Sequence, residues 1–259
     1  MKKYVRSGQV GLLLLVIMGV VVALVMSVAS RSLSDTVLSR QERESSAAFS
    51  VAETGIEKAM NEIKSQGGDV AGGPLTGLSD FVIGEYNVSP TTTYGLFVKE
   101  GETAHLDLST YVPTLTISWT KKADGVENIT TCTEGSQNSP AALEINAFAG
   151  ANVTRSYYNP ANCSPGANGF STSSDGGSEY RSKIATYSVP IGTTIIRIKP
   201  IYAGSTILVS GDGLNDQLYL IQSSATGGDA KKAIEVRRGL TAPPSIFDFA
   251  VFTAGTIVK

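Results

Sequence analysis

The chain has 259 residues, of which 42% are hydrophobic and 17% are charged, the latter below the roughly 25% of ordinary soluble domains. Its formal net charge of -2 shows no basic excess, so nucleic acid is not expected as a partner. One histidine, His105, and two cysteines exclude a His-rich or Cys-rich metal site. These numbers favour an anchored, β-rich protein without a catalytic site, a metal or a cofactor.

A basic N-terminus precedes a long uncharged segment. Lys2, Lys3 and Arg6 are followed by 22 residues without a charge, from Gln9 to Ser30. As a helix this segment spans about 33 Å, enough for the hydrocarbon core of a bilayer. The positive-inside rule then places the N-terminus in the cytoplasm and the rest of the chain outside, as in a single-pass protein of the cytoplasmic (inner) membrane.

Three interpretations of this segment compete. The first is a permanent single-span anchor. The second is a secretory signal peptide, for which Ser27-Val28-Ala29 offers a small-x-small cleavage pattern, although the apolar run is longer than usual. The third is a short leader of residues 1–8 that is cut after Gly8, leaving the apolar segment in the mature protein.

The residues after the span continue the helical pattern. Apolar residues recur at helical spacing at Ala48, Ala52, Ile56, Ala59 and Ile63. Gly67-Gly68 provides a stop signal. We therefore predict one helix from about Val10 to Lys64, transmembrane over residues 9–30 and amphipathic over residues 31–66. A cleaved signal peptide has no need of a helix in continuous phase with it.

Residues 6–64 resemble the N-terminal region of type IV pilin-like proteins, and in particular the PilX-like minor pilins and related pseudopilins. The resemblance rests on Arg6-Ser7-Gly8 before the apolar helix and on the stretch AAFSVAETGIE at residues 47–57. That stretch is similar to the A-x-x-A-A-E-A-G-[IL]-E segment of these proteins. The resemblance implies cleavage between Gly8 and Gln9 by a prepilin peptidase. It also implies contact of the helix with membrane lipid and, in the filament, with other pilin-like subunits.

Two positions depart from the major-pilin pattern, which has Phe after the cleaved glycine and Glu as the fifth mature residue. This chain has Gln9 and Leu13 there. A carboxylate inside the bilayer is costly, and the resemblance implies that subunits lacking it lie at the filament tip or help to start assembly. The plain alternative is that Leu13 is one lipid-facing leucine among Leu12 to Leu15.

After a Gly/Pro-rich linker at residues 67–80, the pattern changes to short alternating runs typical of strands. They fall at residues 114–120, 143–147, 193–202, 205–210, 218–221, 231–238 and 246–252. Pro200 interrupts one run, which suggests an edge or a bend. Residues 81–259 are therefore predicted to form an all-β head outside the cytoplasm, a sandwich or a rolled antiparallel sheet, and the whole chain an α+β fold.

Cys132 and Cys163 lie on the side predicted to be outside, where disulfides persist. A bridge between them would close a loop rich in Asn, Ser, Pro and Gly and contribute roughly 3–4 kcal/mol in the chain-entropy model. We therefore predict a structural disulfide, with free or redox-active thiols as the alternative.

Three further groups have both a structural and a functional interpretation. His105 is expected at the surface or at its rim, because no G-x-S-x-G nucleophile motif accompanies it. Oxygen ligands from Asp212, Asn215 and Asp216 would suit calcium, but a hairpin turn explains them better. Trp119, Tyr157 and Tyr158 could form a stacking platform for a sugar or a surface partner. Trp119 is however expected in the core, and because Tyr157 and Tyr158 point to opposite faces of a strand, at most one of them is expected to be exposed.

The sequence thus predicts a non-enzymatic minor pilin or pseudopilin of a type IV pilus-like filament. The alternative is a single-pass anchored surface protein with a β-rich binding domain that does not polymerise. A secreted hydrolase is disfavoured by the single histidine and the missing nucleophile motif.

Overall fold

The computed structural model describes residues 8–66, 70–77, 81–127, 129, 131–132, 139–164 and 168–240. The fold is α+β, as predicted: one long N-terminal helix, α1, precedes a β-rich region of mainly antiparallel sheets. The helix spans Gly8–Gln66, 59 residues without a break, and so covers both the apolar and the amphipathic segments. Residues 1–7 of the predicted leader and the strand predicted at 246–252 lie outside the described residues.

Fourteen strands follow α1 in the described part of the chain. Their bounds are β1 Gly72–Leu75, β2 Val82–Thr91, β3 Tyr94–Val98, β4 Ala104–Asp107, β5 Thr114–Lys121, β6 Ala142–Ala149, β7 Asn152–Asn159, β8 Ser171–Thr172, β9 Ser174–Asp175, β10 Tyr180–Ser188, β11 Ile195–Ile201, β12 Ser205–Ser210, β13 Leu218–Gly227 and β14 Ala230–Gly239. The alternating runs predicted from residues 114 to 238 all fall on strands. The predicted linker contains one further strand, β1.

The strands form three sheets. Sheet A has the order β1-β2-β13-β14, sheet B the order β3-β12-β5-β10-β9, and sheet C the order β4-β11-β6-β7-β8. In sheet B and in most of sheet C neighbouring strands are antiparallel, whereas β7 and β8 are parallel. Pro200 lies beyond the stretch of β11 that pairs with β4, so the missing N–H is tolerated there.

Sheets B and C share one hydrophobic core, which makes this part of the chain a sandwich. Sheet B contributes Leu115, Ile117 and Trp119 from alternate positions of β5, as the sequence predicts. Sheet C contributes Ile196 and Ile198 of β11, both fully buried. The Trp119 indole Nε1 donates to the carbonyl oxygen of Ala141 at 2.7 Å, so its polar atom is satisfied inside the core.

The chain divides into two compact units. The first comprises the helix as far as Glu57 together with Gly73–Tyr86 and Ser223–Ile234. The second comprises Lys58–Gly72, Asn87–Gln222 and the chain from Glu235 onward. The boundary predicted between linker and head therefore does not coincide with the division into units, because the helix shares its unit with strand segments from both ends of the head.

In the first unit the helix approaches the strands very closely. Ala48 and Ala52 are fully buried, and Gly55 lies one turn further along the same face. A Cβ atom added at Gly55 would lie 2.2 Å from Ser223 Oγ of β13 and 2.8 Å from Leu75 Cδ1 of β1. The small residues of this segment are therefore needed for packing, because larger side chains would push β13 and β1 away from the helix.

We expect Gly55→Val to lower the free energy of unfolding by about 1–3 kcal/mol, because overpacking forces side chains and backbone to shift. Valine also gains little helix propensity over glycine that would offset the clash. The matched control is Gly73→Val, since a Cβ atom at Gly73 has no neighbour within 4 Å. Thermal or urea unfolding in detergent compares the two variants. Equal stability of the two would contradict the close approach.

Candidate functional site

The first half of α1 exposes an apolar surface. Every large hydrophobic side chain from Leu12 to Val28 is more than half exposed, and Leu13 is 61% exposed. Gly8 begins the helix and Gln9 follows within it, so the predicted cleavage site falls at the helix start. α1 is long and apolar enough to cross a membrane, and no second helix with this property occurs in the described residues. One N-terminal helix is thus available as a membrane span.

A carboxylate joins the second half of the helix to the β13–β14 turn, within the first unit. Glu44 is 9% exposed, and its side chain accepts from Arg40 Nε at 2.7 Å and from the backbone N–H of Asp229 at 3.3 Å. Gly228 has a positive φ of 57°, and a Cβ atom there would lie 2.3 Å from Glu44 Oε2. The Gly-Gly-Asp turn and the Arg40–Glu44 spacing are visible in the sequence, but neither of them predicts this contact.

The predicted disulfide is confirmed. Cys132 and Cys163 are bonded, with their Cα atoms 5.5 Å apart. Cys163 lies in the loop after β7, and its backbone N–H donates to the carbonyl oxygen of Pro160 at 3.1 Å. The bridge therefore links this loop to the segment between β5 and β6, in a part of the head with little regular structure.

A second buried carboxylate, Glu127, fastens a loop in the second unit. Glu127 is 3% exposed and accepts from the backbone N–H of Lys121 at 3.1 Å and from that of Thr206 at 2.7 Å. The Thr206 hydroxyl also donates to it. Three donors satisfy the buried charge and tie the loop after β5 to β12, a structural role that the sequence analysis did not foresee.

One polar row crosses the outer face of sheet C. Strand register sets Arg197 of β11 opposite both His105 of β4 and Asn146 of β6, and Asn146 opposite Arg155 of β7. Directly paired residues point to the same face of a sheet, so these four side chains lie side by side. Arg197 and Asn146 are buried even though they alternate with core residues, which the period-2 pattern did not indicate.

The next row on the same face is Lys199, Glu144 and Tyr157. Glu144 is 4% exposed, and it accepts from Asn146 Nδ2 at 3.2 Å and from the Tyr157 hydroxyl at 3.5 Å. Partial burial and the Glu144 charge raise the pKa of Tyr157, so its phenol stays protonated and can donate. The two rows thus give this face polar rather than hydrophobic side chains, and Glu144 joins Asn146 and Tyr157 by hydrogen bonds.

His105 is half-buried at the end of the first polar row. Its Nδ1 atom is buried and has no hydrogen-bond partner among the described residues. Burial, and next the positive charge of Arg197, lower its pKa from the ordinary value, while Asp107 acts weakly in the opposite direction. The imidazole is therefore neutral at pH 7 and partly buried.

The acidic turn before β13 has an ordinary turn geometry. Asp212, Asn215 and Asp216 are all exposed, and the N–H of Leu214 donates to the carbonyl of Gly211 at 3.3 Å. Asn215 Nδ2 donates back to the carbonyl of Gly213 at 3.4 Å. Within the described ranges, no group of three or more His, Cys, Asp or Glu side chains is placed to hold a metal ion.

The aromatic residues separate as the strand period predicts. Trp119 is fully buried in the core, and Tyr158 packs against the same core. Tyr157 points to the opposite face of β7, where its ring stacks on that of Phe170 with centroids 4.9 Å apart. Phe170 was not singled out from the sequence, because it precedes a strand of only two residues.

No family model, no curated protein and no solved structure matches this chain. The fold defines its class: an α+β protein with one N-terminal helix that is able to span a membrane and a β-rich head stapled by a disulfide.

The lowered pKa of His105 predicts a pH dependence. As pH falls below about 6.5, the unfolded chain binds a proton that the folded chain resists, so stability is lost until the pH reaches the lower folded-state pKa. His105→Gln should therefore lose less stability than the wild type between pH 7 and pH 5. Urea unfolding across this range measures the difference. Identical pH slopes for the two proteins would contradict a neutral, buried His105.

Proposed function

We propose that this chain is a non-enzymatic minor pilin or pseudopilin, a subunit of a type IV pilus-like filament. Before assembly α1 anchors it in the inner membrane, with the N-terminus in the cytoplasm and the head outside. The observation that carries the proposal is the single unbroken helix Gly8–Gln66, apolar and exposed in its first half and attached to strands in its second half.

The exposed half of the helix needs an apolar environment, both before assembly and in a filament. Burying a single leucine side chain stabilises by about 1.5–3 kcal/mol, so a surface with leucine or valine on every side must be covered. Lipid covers it in the membrane, and neighbouring helices would cover it in a filament. Lys2, Lys3 and Arg6 support the proposed orientation through the positive-inside rule.

The continuity of α1 argues against a signal peptide. Cleavage after Ala29 would cut the helix in the middle and leave residues 30–43 as an exposed stub ahead of the packed segment. Removal of residues 1–8 instead leaves the helix whole, since α1 begins at Gly8. The alternative of an anchored binding protein that does not polymerise shares the helix and the head, and it differs in keeping its N-terminus.

Processing tests the proposal. A prepilin peptidase should cut between Gly8 and Gln9, and the net charge should change from -2 to -5 because Lys2, Lys3 and Arg6 leave. Gly8→Val should retain the leader, since the small residue before the cut is lost. Gly11→Val is the matched control and should be processed normally. Intact mass of the purified protein reads the result: a start at Ser30 would indicate secretion, and an uncut chain the plain anchor.

Leu13 supports a place at one end of the filament. An acid at the fifth mature position could attract the terminal amine of a preceding subunit, but a tip subunit has no such neighbour. There the acid would remain unpaired in lipid at a cost of ~2.5–3.5 kcal/mol, which leucine avoids. The same absence removes an attraction between subunits and so disfavours many copies along the shaft.

We therefore expect few copies per filament, near one end, and fewer filaments when the protein is deleted. Leu13→Glu should be tolerated or harmful. It should give no more labelled copies and no more filaments than Leu15→Glu, which places an acid at another exposed leucine. Immunogold labelling and filament counts measure both. Labels spread evenly along the shaft, or a gain in copies specific to Leu13→Glu, would move the protein into the major-subunit class.

A further inference from the structure

Strand β3 forms one edge of sheet B, and its short length is its only protection against pairing. In the part of the chain that the structure describes, β3 lies at the end of the sheet and pairs with β12 alone. Its sequence, YGLFV, contains neither a charge nor a proline, and Phe97 is 51% exposed. A strand edge presents unpaired N–H and C=O groups, which proteins usually protect with charges, proline or a cover.

The other terminal strands of the described sheets each have a protective feature that β3 lacks. β1 contains Pro74, β14 is highly charged, and β8 and β9 have two residues each. At β4 the backbone N–H of Asp107 donates to Gln217 Oε1 at 3.2 Å, and the Asp107 carbonyl accepts from Gln217 Nε2 at 2.7 Å. The Gln217 amide thus occupies part of this edge as a neighbouring strand would. Among the described edges, β3 is therefore the most open to a further strand.

The chain leaves β14 beside β3. A Cβ atom added at Gly239, the last residue of β14, would lie 3.5 Å from Leu96 Cδ1 and 3.9 Å from Tyr94 Cε2. Residues 240–245 separate Gly239 from the segment 246–252, and six residues span at most about 20 Å. The five residues of β3 are about 17 Å long. The segment can therefore reach either end of β3.

The segment 246–252, IFDFAVF, has two unlike faces as an extended chain. Its odd-numbered positions are all large and apolar: Phe247, Phe249 and Val251. Asp248 is the one charged residue of the segment and falls on the opposite face. β3 has the same division, because Tyr94 and Val98 belong to the core whereas Phe97 is exposed. Side by side, the two strands would put their apolar faces over the core and Asp248 toward solvent.

We propose that residues 246–252 bind the free edge of β3 and add a further strand to sheet B of the same molecule. The segment supplies the backbone donors and acceptors that this edge lacks, and its apolar face extends the core shared by sheets B and C. A second copy could supply the same segment. The short tether favours the molecule's own segment, because it gives an effective concentration on the order of mM. The inference concerns the head alone and does not rest on filament assembly.

Disulfide trapping in the full chain, in detergent micelles, tests this contact. Leu96→Cys is combined in turn with a cysteine at each position from 247 to 251. Directly paired residues on neighbouring strands have Cα atoms about 4.5–5.5 Å apart, a distance that a disulfide bridges. We expect cross-links at odd positions about fivefold or more above those at even positions, because Leu96 packs against the core and shares a face with the odd positions alone. Ser174→Cys, on β9 at the opposite edge of sheet B, is the matched control and should give none.

Phe97→Cys, on the other face of β3, should invert the pattern and favour positions 248 and 250. Because Phe97 is exposed, this variant keeps the test valid if Leu96→Cys fails to fold. The proposal is overturned by cross-links without a two-residue period, by cross-links only between two chains, by equal trapping with Ser174→Cys, or by no cross-links with either β3 variant. The expected cross-links in a protein that forms no filaments would count against the proposed function alone.

Discussion

The apolar half of α1 has to be covered, and the rest of the molecule can be understood from that requirement. The large hydrophobic side chains from Leu12 to Val28 are more than half exposed on all sides of the helix. A surface of this kind is stable only in lipid or among other apolar helices. The same helix continues into a segment that packs against strands. Any environment that covers the first half must therefore also leave room for these strands.

The second half of the helix is packed against strands and not exposed. There the helix contacts strands, and small residues allow the backbones to come together. Gly55 faces Ser223, Gly84 of β2 faces Val51, and a Cβ atom at either glycine would come within 3 Å of its neighbour. The turn at Gly228 closes on Glu44 in the same way. The first half of α1 is thus an exposed apolar helix that suits lipid, whereas its second half packs closely against strands.

Local patterns predicted the elements that have one clear period. The apolar series from Ala48 to Ile63 marked the buried face of the helix, and alternation marked β5 and β12, because the fully buried apolar residues of each strand lie on one face. Of β7 only the stretch around Tyr157 and Tyr158 was expected as a strand, since both faces of β7 carry polar or aromatic residues that produce no apolar alternation. The segment assigned to a linker holds β1 because a glycine-rich strand lacks the side chains that produce an alternating signal.

Contacts between residues far apart in the chain could not be predicted from the sequence. Glu127 and Thr206 are separated by 79 residues, and Glu44 and Asp229 by 185, so nothing in either neighbourhood indicates the partner. The stacked pair of Tyr157 and Phe170 shows the same limit, because Tyr157 was visible in its strand but its contact with Phe170 was not. The disulfide was predictable because two cysteines allow one pairing.

The edges of the three sheets have a consequence for crowding. Five of the six terminal strands have at most five residues: β1, β3, β4, β8 and β9. The sixth, β14, is ten residues long, and it carries Lys231, Lys232, Glu235, Arg237 and Arg238. Short or highly charged edges resist pairing with a strand of another molecule. In the part of the chain that the structure describes, the sheet edges would therefore hinder the fusion of neighbouring heads into one continuous sheet.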